Sequence, residues 1–364
     1  MRLKAVATDA VINPLAVLGA TPAGERLERI LRSPHFRDGA FRNPVDTTTM
    51  LPGSFWRSMR RQFAGPEQRV PQSPLPIVPL TRAAFVNPPA SGLRVTRLGH
   101  STVVIEIDGY RVLVDPVWGK RASPSQLVGP RRFHAPPISL GDLPSLDAVI
   151  LTHDHYDHLD MVAVRALASS AGQRRTQWIT ALGVGAHLER WGFPGSRVTE
   201  LDWGDTAHVG SLRMTAQPAR HFSGRSFKRD QTLWASWVIA GPRHRVFHSG
   251  DTGFFDGLAE IGARYGPFDL TMLKIGAYGE TWPDIHLDPE QAVRVHTMLG
   301  GAVLLPIHWG TFNLAFHAWD EPAERVLAAA ERENVRVVIP RPGQQIELTS
   351  LPDPDPWWRS VAPS

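Results

Sequence analysis

Residues 153–158 constrain what this 364-residue chain can fold into more than any other segment. Four of the six carry side chains that ligate metal ions, with no Lys or Arg among them: His153, His155, Asp157 and His158. The segment follows an apolar run at residues 146–151, which predicts a short buried strand. Because residues two apart in extended backbone point the same way, His153 and His155 can converge on one cation. Asp157 and His158, where the chain turns into a helix, can reach a second cation.

Three more candidate ligands follow predicted strands later in the chain. They are His221, Asp251 and His308. Each alone has an ordinary explanation as a polar residue at a strand end, but their order after residues 153–158 favours a shared site. We predict one ion bound by His153, His155 and His221, a second bound by Asp157, His158 and His308, and Asp251 bridging the two. The chain has no Cys, so every ligand is nitrogen or oxygen, a set that suits zinc and also allows manganese or iron.

From about residue 93 the sequence alternates between β-rich apolar runs and helical periodicity. Asp108-Gly109, between runs at residues 93–107 and 111–114, predicts a tight hairpin. Asp288 followed by Pro289 predicts a helix start, because the Asp side chain can cap free N–H groups and Pro fixes the first dihedral angle. Further strands are predicted at residues 302–306 and 335–339, among others, and helices at residues 159–169, 184–191, 289–299 and 322–333. These elements predict an α/β protein in which two mixed β-sheets are flanked by helices.

Residues 1–90 differ from the rest, because twelve prolines interrupt them and leave little periodic structure. We predict a Pro-rich N-terminal arm over residues 1–90 that wraps the core, a catalytic domain over residues 91–350 and a tail over residues 351–364. Residues 53–63 predict a helix with an apolar face and a basic rim, formed by Phe55, Trp56, Met59 and Phe63 beside Arg57, Arg60 and Arg61. This pattern is typical of a helix in a lipid interface, and packing on the catalytic domain is the alternative.

The composition restricts where the protein acts. Hydrophobic residues make up 42% of the chain, yet no run approaches the roughly 18 apolar residues of a membrane span. The apolar stretch at residues 5–20 contains Asp9, Asn13 and Pro14 and makes a poor signal-peptide core. We therefore expect a cytoplasmic protein with peripheral contact at the inner face of the membrane. The net charge of +4 makes nucleic acid an alternative partner to consider. Because the Arg residues are dispersed, we expect no nucleic-acid partner and disfavour a nuclease.

The order of the candidate ligands, HxHxDH followed by His, Asp and His, resembles the metallo-β-lactamase superfamily. That resemblance implies an αββα sandwich with a dinuclear site at one edge. Ten segments also resemble the N-acylphosphatidylethanolamine-hydrolysing phospholipase D family, at residues 99–100, 102–106, 115–116, 121–126, 129–130, 132–133, 250–253, 266–270, 275–278 and 308–312. This likeness covers about residues 93–325. It implies a phospholipid substrate, N-acylphosphatidylethanolamine, which is hydrolysed to an N-acylethanolamine and phosphatidic acid. It also implies two divalent metal ions per subunit, with zinc as the first choice.

The resemblance also gives roles to residues outside the ligand set. Asp115 matches an aspartate that orients a metal-bound histidine, which is a common arrangement at metal sites. His286 matches a histidine beside the substrate phosphate, where it could donate a proton or a hydrogen bond to the leaving oxygen. Tyr278 and Trp309 are expected to line the substrate pocket, with core packing as the alternative.

Two further residues admit two interpretations each. His100 is either a contact of a ligand or a turn residue. Lys274 interrupts an apolar strand and either serves the site or extends its ammonium group to solvent. The sequence alone does not decide between these interpretations.

Other functions compete with the phosphodiesterase. A lactonase or another carboxylic ester hydrolase of the same superfamily would use the same ligands on a soluble substrate, and a non-catalytic scaffold would need only some of them. Two divalent cations, Asp157, Asp251 and a hydroxide leave one net positive charge, which a phosphodiester anion neutralises and a neutral ester does not. The charge count therefore favours the phosphodiester. The sequence does not decide whether the protein forms a homodimer.

Overall fold

The computed structural model describes residues 15–226 and 228–361. The first fourteen residues of the predicted arm and the last three of the predicted tail lie outside the described residues, as do the side chains of Phe55 and Phe63. The described part of the arm contains helix α1 (Gly24–Arg32), a hairpin of β1 (Phe36–Arg37) and β2 (Ala40–Phe41), and helix α2 (Phe55–Ala64). Helix α2 begins later than predicted because Gly53 has a φ of +70°, outside the helical region.

The first sheet is built mainly from residues 93–201. Its strands there are β3 (Leu93–Gly99), β4 (Thr102–Ile107), β5 (Tyr110–Val114), β6 (Ala148–Leu151), β7 (Gln177–Ala181) and β8 (Val198–Leu201). Strands β3 to β5 are antiparallel, and β5 to β8 are parallel. Helices α3 (Met161–Ser169) and α4 (Gly185–Arg190) follow β6 and β7. The predicted hairpin is confirmed, since Asp108 and Gly109 have φ values of +48° and +90°, as a type I′ turn requires.

The second sheet follows in the chain. Its strands are β9 (Thr206–Val209), β10 (Leu212–Gln217), β11 (Ser236–Ala240), β12 (Arg245–His248), β13 (Leu270–Lys274) and β14 (Leu304–Ile307), in that spatial order. Its helices are α5 (Gly257–Tyr265), α6 (Pro289–Met298) and α7 (Glu321–Arg332), after which β15 (Gln345–Glu347) returns to pair with β3. The predicted strand at residues 335–339 is wrong. That segment makes one bridge, from Val337 to Leu304, and Pro340 follows, which has no N–H to extend the pairing.

Two apolar cores hold these layers together. One joins both sheets to α3 and α4 and contains the buried indoles of Trp178 and Trp234. The other packs α5, α6 and α7 on the second sheet and includes Trp357 and Trp358 of the predicted tail, which are 2% and 1% exposed. The order of helix layer, sheet, sheet and helix layer confirms the predicted αββα sandwich. Among the described residues, none of the helices combines the length and the hydrophobicity that crossing a bilayer requires.

Candidate metal centre

The C-terminal ends of strands from both sheets meet at one edge of the sandwich, and the seven predicted ligands lie there. Residues 153–158 follow β6, and His221, Asp251 and His308 follow β10, β12 and β14. Their ligand atoms form groups within which all atoms lie within 4.8 Å of one another. These groups are His153, His155 and His221; His100, Asp157, His158 and His308; His153, His158 and Asp251; and His221, Asp251 and His286. The structure thus brings the two predicted sets together and adds His100 and His286.

The first set consists of three imidazole rings. His155 Nδ1 lies 2.9 Å from His153 Nε2 and 3.2 Å from His221 Nε2. His221 Nδ1 donates to the carbonyl oxygen of Ile285 at 3.0 Å, so its proton is held there and the lone pair of Nε2 faces the other rings. Burial is the main reason why the pKa values of His153 and His221 lie well below their ordinary value. Neutral rings therefore present nitrogen atoms to one point, as a divalent cation requires.

The second set combines a carboxylate with imidazole rings. Asp157 Oδ2 lies 2.9 Å from His100 Nε2, 3.4 Å from His308 Nε2 and 3.5 Å from His158 Nε2. Burial acts to raise the pKa of Asp157, but His158 and the other rings lower it well below its ordinary value. His100 is 1% exposed, and its ring centroid lies 3.9 Å from that of His308. His100 therefore contacts two candidate ligands and is more than a turn residue.

Asp251 lies between the two sets. Its Oδ2 atom is 3.0 Å from His308 Nε2 and 3.6 Å from His221 Nε2, and its Oδ1 atom is 3.4 Å from His158 Nε2. Burial opposes ionisation, but His308 and His158 lower the pKa of Asp251 well below its ordinary value. A single ionised carboxylate thus reaches members of both sets, which is the geometry that a bridging ligand needs.

The residues present fit a metal centre. Three buried ligand atoms have no hydrogen-bond partner within the described part of the chain: His158 Nε2, His308 Nε2 and Asp251 Oδ1. An unpaired buried polar atom costs roughly 1–3 kcal/mol, and atoms of this kind that face one another are the arrangement expected around a cation. Because all the donors are nitrogen and oxygen, the set matches zinc, manganese or iron.

Asp115, at the end of β5, supports both sets. Its carboxylate accepts hydrogen bonds from His158 Nδ1 at 2.6 Å, Thr152 N at 2.9 Å and Thr152 Oγ1 at 2.8 Å. Thr152 Oγ1 in turn accepts from His153 Nδ1 at 2.9 Å. The Nδ1 protons of His153 and His158 are thereby fixed, which leaves both Nε2 atoms for a metal. The structure places Asp115 beside a candidate ligand, as the resemblance implies. Thr152 is a contributor that the sequence analysis missed, although it directly precedes the motif.

Backbone strain also marks this edge. The φ angles of His100, Asp115 and His308 are +51°, +45° and +62°. A non-glycine residue in this region costs roughly 1–3 kcal/mol and persists only where surrounding contacts impose it, which is a feature of functional sites. Gly276, after β13, approaches the backbone of His308 so closely that a Cβ there would overlap the carbonyl oxygen of His308.

A cavity of about 390 Å³ opens beside the centre. Residues that line it include His286, Tyr278, His317, Arg61 and Arg325. His286 Nδ1 lies 3.9 Å from Asp251 Oδ2, and burial, followed by the charge of Lys274, lowers the pKa of His286 well below its ordinary value. Tyr278 lines this cavity, and its hydroxyl donates to Glu321 Oε1 at 2.6 Å, so the hydroxyl is already engaged within the protein.

Two other predicted positions are buried. Trp309 is 3% exposed and packs on Trp357 and Trp358 at ring-centroid distances of 5.5 and 5.8 Å. It also lines a small cavity that touches His308, so core packing and pocket lining are combined. Lys274 is fully buried and donates to the carbonyl oxygens of residues 276 and 287 at 2.6 and 3.3 Å. Extension of this side chain to solvent is therefore excluded.

Comparison with known proteins agrees with this geometry. Residues 110–309 match the model of the beta-lactamase superfamily domain. An uncharacterized protein of Mycobacterium tuberculosis is 49% identical over 353 residues, which cover 94% of this chain and 92% of that protein. N-acyl-phosphatidylethanolamine-hydrolyzing phospholipase D 1 of Caenorhabditis elegans is 37% identical over 263 residues, which cover 68% of this chain and 72% of that protein.

A solved structure gives the same result for the fold. A metallo hydrolase from the archaeon Ignicoccus hospitalis superposes with a TM-score of 0.53 at 25% identity, over 70% of this chain and 97% of that one. The protein is therefore a metal-dependent hydrolase. The chain belongs to the metallo-β-lactamase superfamily and, within it, to the family of N-acylphosphatidylethanolamine-hydrolysing phospholipases D.

Proposed function

We propose that the protein is a phosphodiesterase that uses two divalent metal ions to hydrolyse N-acylphosphatidylethanolamine to an N-acylethanolamine and phosphatidic acid. Zinc is the metal that we propose first. The observation that carries this proposal is the convergence of five histidines and two aspartates at one edge of the sandwich, beside a cavity. A relative that is 37% identical over 263 residues has this activity in its name.

The charge of the centre supports a phosphodiester. Two divalent ions, when bound, would supply an activated water and electrostatic stabilisation of the charge that develops in the reaction. Within the described part of the chain, two carboxylates reach the sets, Asp157 and Asp251. Both are ionised at neutral pH because neighbouring rings lower their pKa values. The loaded centre therefore keeps a net positive charge, which attracts a monoanionic phosphodiester more strongly than a neutral ester.

His286 is placed to assist the leaving group. In the reaction, a water oxygen bonds to phosphorus, and the bond between phosphorus and the ethanolamine oxygen breaks. That oxygen gains the proton that the attacking water loses and leaves as the hydroxyl of the N-acylethanolamine. His286 lies beside Asp251 and lines the cavity. Since its lowered pKa keeps the ring neutral at neutral pH, it would stabilise the departing oxygen by donating a hydrogen bond.

Helix α2 of the arm would bring the protein to its lipid substrate. Of its predicted apolar face, the described side chains of Trp56 and Met59 are 78% and 39% exposed, so these two do not pack into the core. Arg61 of the same helix lines the cavity beside His286. An exposed apolar face with arginines beside it suits the interface of an anionic membrane, and its position would place that membrane next to the opening of the cavity.

Isotope labelling tests the proposal directly. The purified protein, supplied with zinc or manganese, is incubated with N-acylphosphatidylethanolamine in mixed micelles in ¹⁸O-labelled water, and the products are identified by mass spectrometry. We expect an unlabelled N-acylethanolamine and phosphatidic acid with one ¹⁸O in its phosphate group. Label in a free fatty acid would show ester hydrolysis instead, and turnover of a lactone without turnover of the phospholipid would replace the proposal with the lactonase.

A further inference from the structure

A segment of the N-terminal arm, residues 43–51, lies against the loops that carry part of the metal centre. We call this segment the strap. It lies outside residues 110–309, which match the superfamily domain. The strap nevertheless contacts the loop after β10, which carries His221, and the loop before α6, which carries Ile285 and His286.

Asn43, at the start of the strap, pairs with both backbone groups of His221. Its Nδ2 atom donates to the carbonyl oxygen of His221 at 2.7 Å, and its Oδ1 atom accepts from the N–H of His221 at 2.8 Å. Strand β10 ends at Gln217, and among the described residues the two backbone groups of His221 pair with the Asn43 side chain and not with a strand. The carboxamide of Asn43 takes the place of such a strand and fixes the backbone, while the bond to Ile285 fixes the ring.

The rest of the strap ties the two loops to each other. Arg220 donates to the carbonyl oxygen of Asp46 at 2.6 Å and to Thr47 Oγ1 at 3.0 Å. Arg220 also pairs with Asp284 at 2.9 Å, and the N–H of Thr48 donates to the same Asp284 carboxylate at 2.8 Å. The backbone of His221 and the carbonyl group that orients its ring therefore belong to one hydrogen-bonded unit, of which the strap is a part.

We propose that Asn43 is a positioning residue for the metal centre, which holds His221 in place for the ion bound by His153, His155 and His221. Within that set, His153 and His155 share one loop after β6, whereas His221 comes from the other sheet and needs separate support. Among the described residues, the side chain of Asn43 forms hydrogen bonds with His221 of the first set and with no ligand of the second. Loss of Asn43 therefore weakens one ion and leaves the other in place. Outer contacts of this kind typically change metal affinity by about 10–100-fold.

Metal titration of the intact chain tests this role. Asn43→Leu keeps the approximate volume of the side chain and removes both hydrogen bonds. The parent and the variant are equilibrated in buffers of graded free zinc, and bound zinc per chain is measured. We expect half of the zinc of the variant to be lost at a free zinc concentration about 10–100-fold higher than in the parent, and the other half at an unchanged concentration. The readout is bound metal, so the result is independent of the proposed substrate.

Two control variants separate positioning from general loosening of the arm. Ile30→Ala removes a buried side chain of α1, which is 1% exposed, and should lower the melting temperature without shifting either zinc midpoint. Asn87→Ala, at an exposed position of the same arm, should change neither. Equal shifts of both zinc midpoints in Asn43→Leu, or a lower melting temperature with unchanged zinc binding, would overturn the proposal. If Asn43→Leu does not fold, Asn43→Ser, whose hydroxyl is too short to span both backbone groups, must show the same selective loss.

Discussion

The buried ammonium group of Lys274 makes the stability of this protein depend on pH. Its Nζ atom is enclosed by protein and donates to two carbonyl oxygens. Burial lowers the pKa of Lys274 from 10.5 to about 7, an effect that Asp251, Asp288 and Asp157 offset only in part. Because one pKa unit corresponds to about 1.36 kcal/mol, keeping this lysine charged in the folded protein costs about 5 kcal/mol.

The sign of the pH dependence follows from where the proton is lost. The folded protein releases the Lys274 proton near pH 7, whereas the unfolded chain holds it until about pH 10.5. Between these values the unfolded chain binds more protons, so the free energy of unfolding rises with pH by about 1.4 kcal/mol per pH unit. Below pH 7 Lys274 is protonated in both states, and the folded state carries the full free-energy cost of the buried charge.

Lys274→Met removes this contribution while keeping a side chain of similar length. The variant leaves two carbonyl acceptors unpaired, at roughly 1–3 kcal/mol each, and it avoids the cost of the buried charge. At pH 6 we therefore expect its stability to lie within a few kcal/mol of the parent. Between pH 6 and pH 9 the parent should gain about 3 kcal/mol relative to the variant, from about 1.36 kcal/mol per unit above pH 7.

Urea unfolding followed by tryptophan fluorescence, on the metal-free protein in the presence of a chelator and at each pH from 6 to 9, measures this difference, because the lowered pKa of Lys274 is that of the protein without bound ions. Subtracting variant from parent cancels the groups that titrate in both proteins. Lys120→Met, at an exposed position, is the matched control and should show no pH-dependent difference. A constant difference between parent and Lys274→Met across this range would refute the reasoning, because Lys274 would then not change its protonation on folding.

Other variants test the centre and the arm. Asp251→Ala should lose at least one metal ion and nearly all turnover, because this carboxylate reaches both ligand sets, and full activity would contradict a dinuclear centre. Asp115→Asn should weaken metal binding by about 10–100-fold in zinc competition, and unchanged affinity would exclude its orienting role. His286→Ala should keep the metal and lower the rate by about two to four orders of magnitude, whereas loss of metal would make His286 a ligand. Trp56→Ser combined with Met59→Ser should reduce vesicle binding while the melting temperature and hydrolysis of a small soluble phosphodiester stay the same. A large fall in melting temperature would instead place these side chains in the core.

The sandwich and the grouping of the candidate ligands follow from local signals in the sequence. Residues 153–158 hold four ligand side chains directly after a strand, and each later candidate also follows an apolar run. The ends of these strands could therefore be located without knowing which strands pair in the sheets. Helix α1 was missed for a physical reason. Leu27, Ile30 and Leu31 do recur at helical spacing, but the helix is only nine residues long and lies between Pro22 and Pro34, so the prolines dominate the sequence pattern there.

The contacts that position the ligands could not be predicted in the same way. Asn43 lies 178 residues from His221 in the chain, and nothing in the local sequence distinguishes it from an ordinary turn asparagine before Pro44. The hydrogen bonds between Asn43 and His221 arise only because the arm passes the C-terminal end of β10. Lys274 is a similar case, since its burial depends on carbonyl groups of loops that no pattern places beside it.

The division of the centre between two sheets explains why these distant contacts matter. His153, His155, Asp157 and His158 come from the loop after β6, whereas His221, Asp251 and His308 come from the second sheet. Each predicted ion therefore draws ligands from both sheets, and a small displacement between the sheets changes its coordination geometry. Asp115 and Thr152 orient ligands that follow a strand of the first sheet. The strap, which belongs to neither sheet, holds His221, which follows a strand of the second sheet. The ligand residues thus determine which chemistry is available, and the arm helps to set the geometry in which these ligands converge.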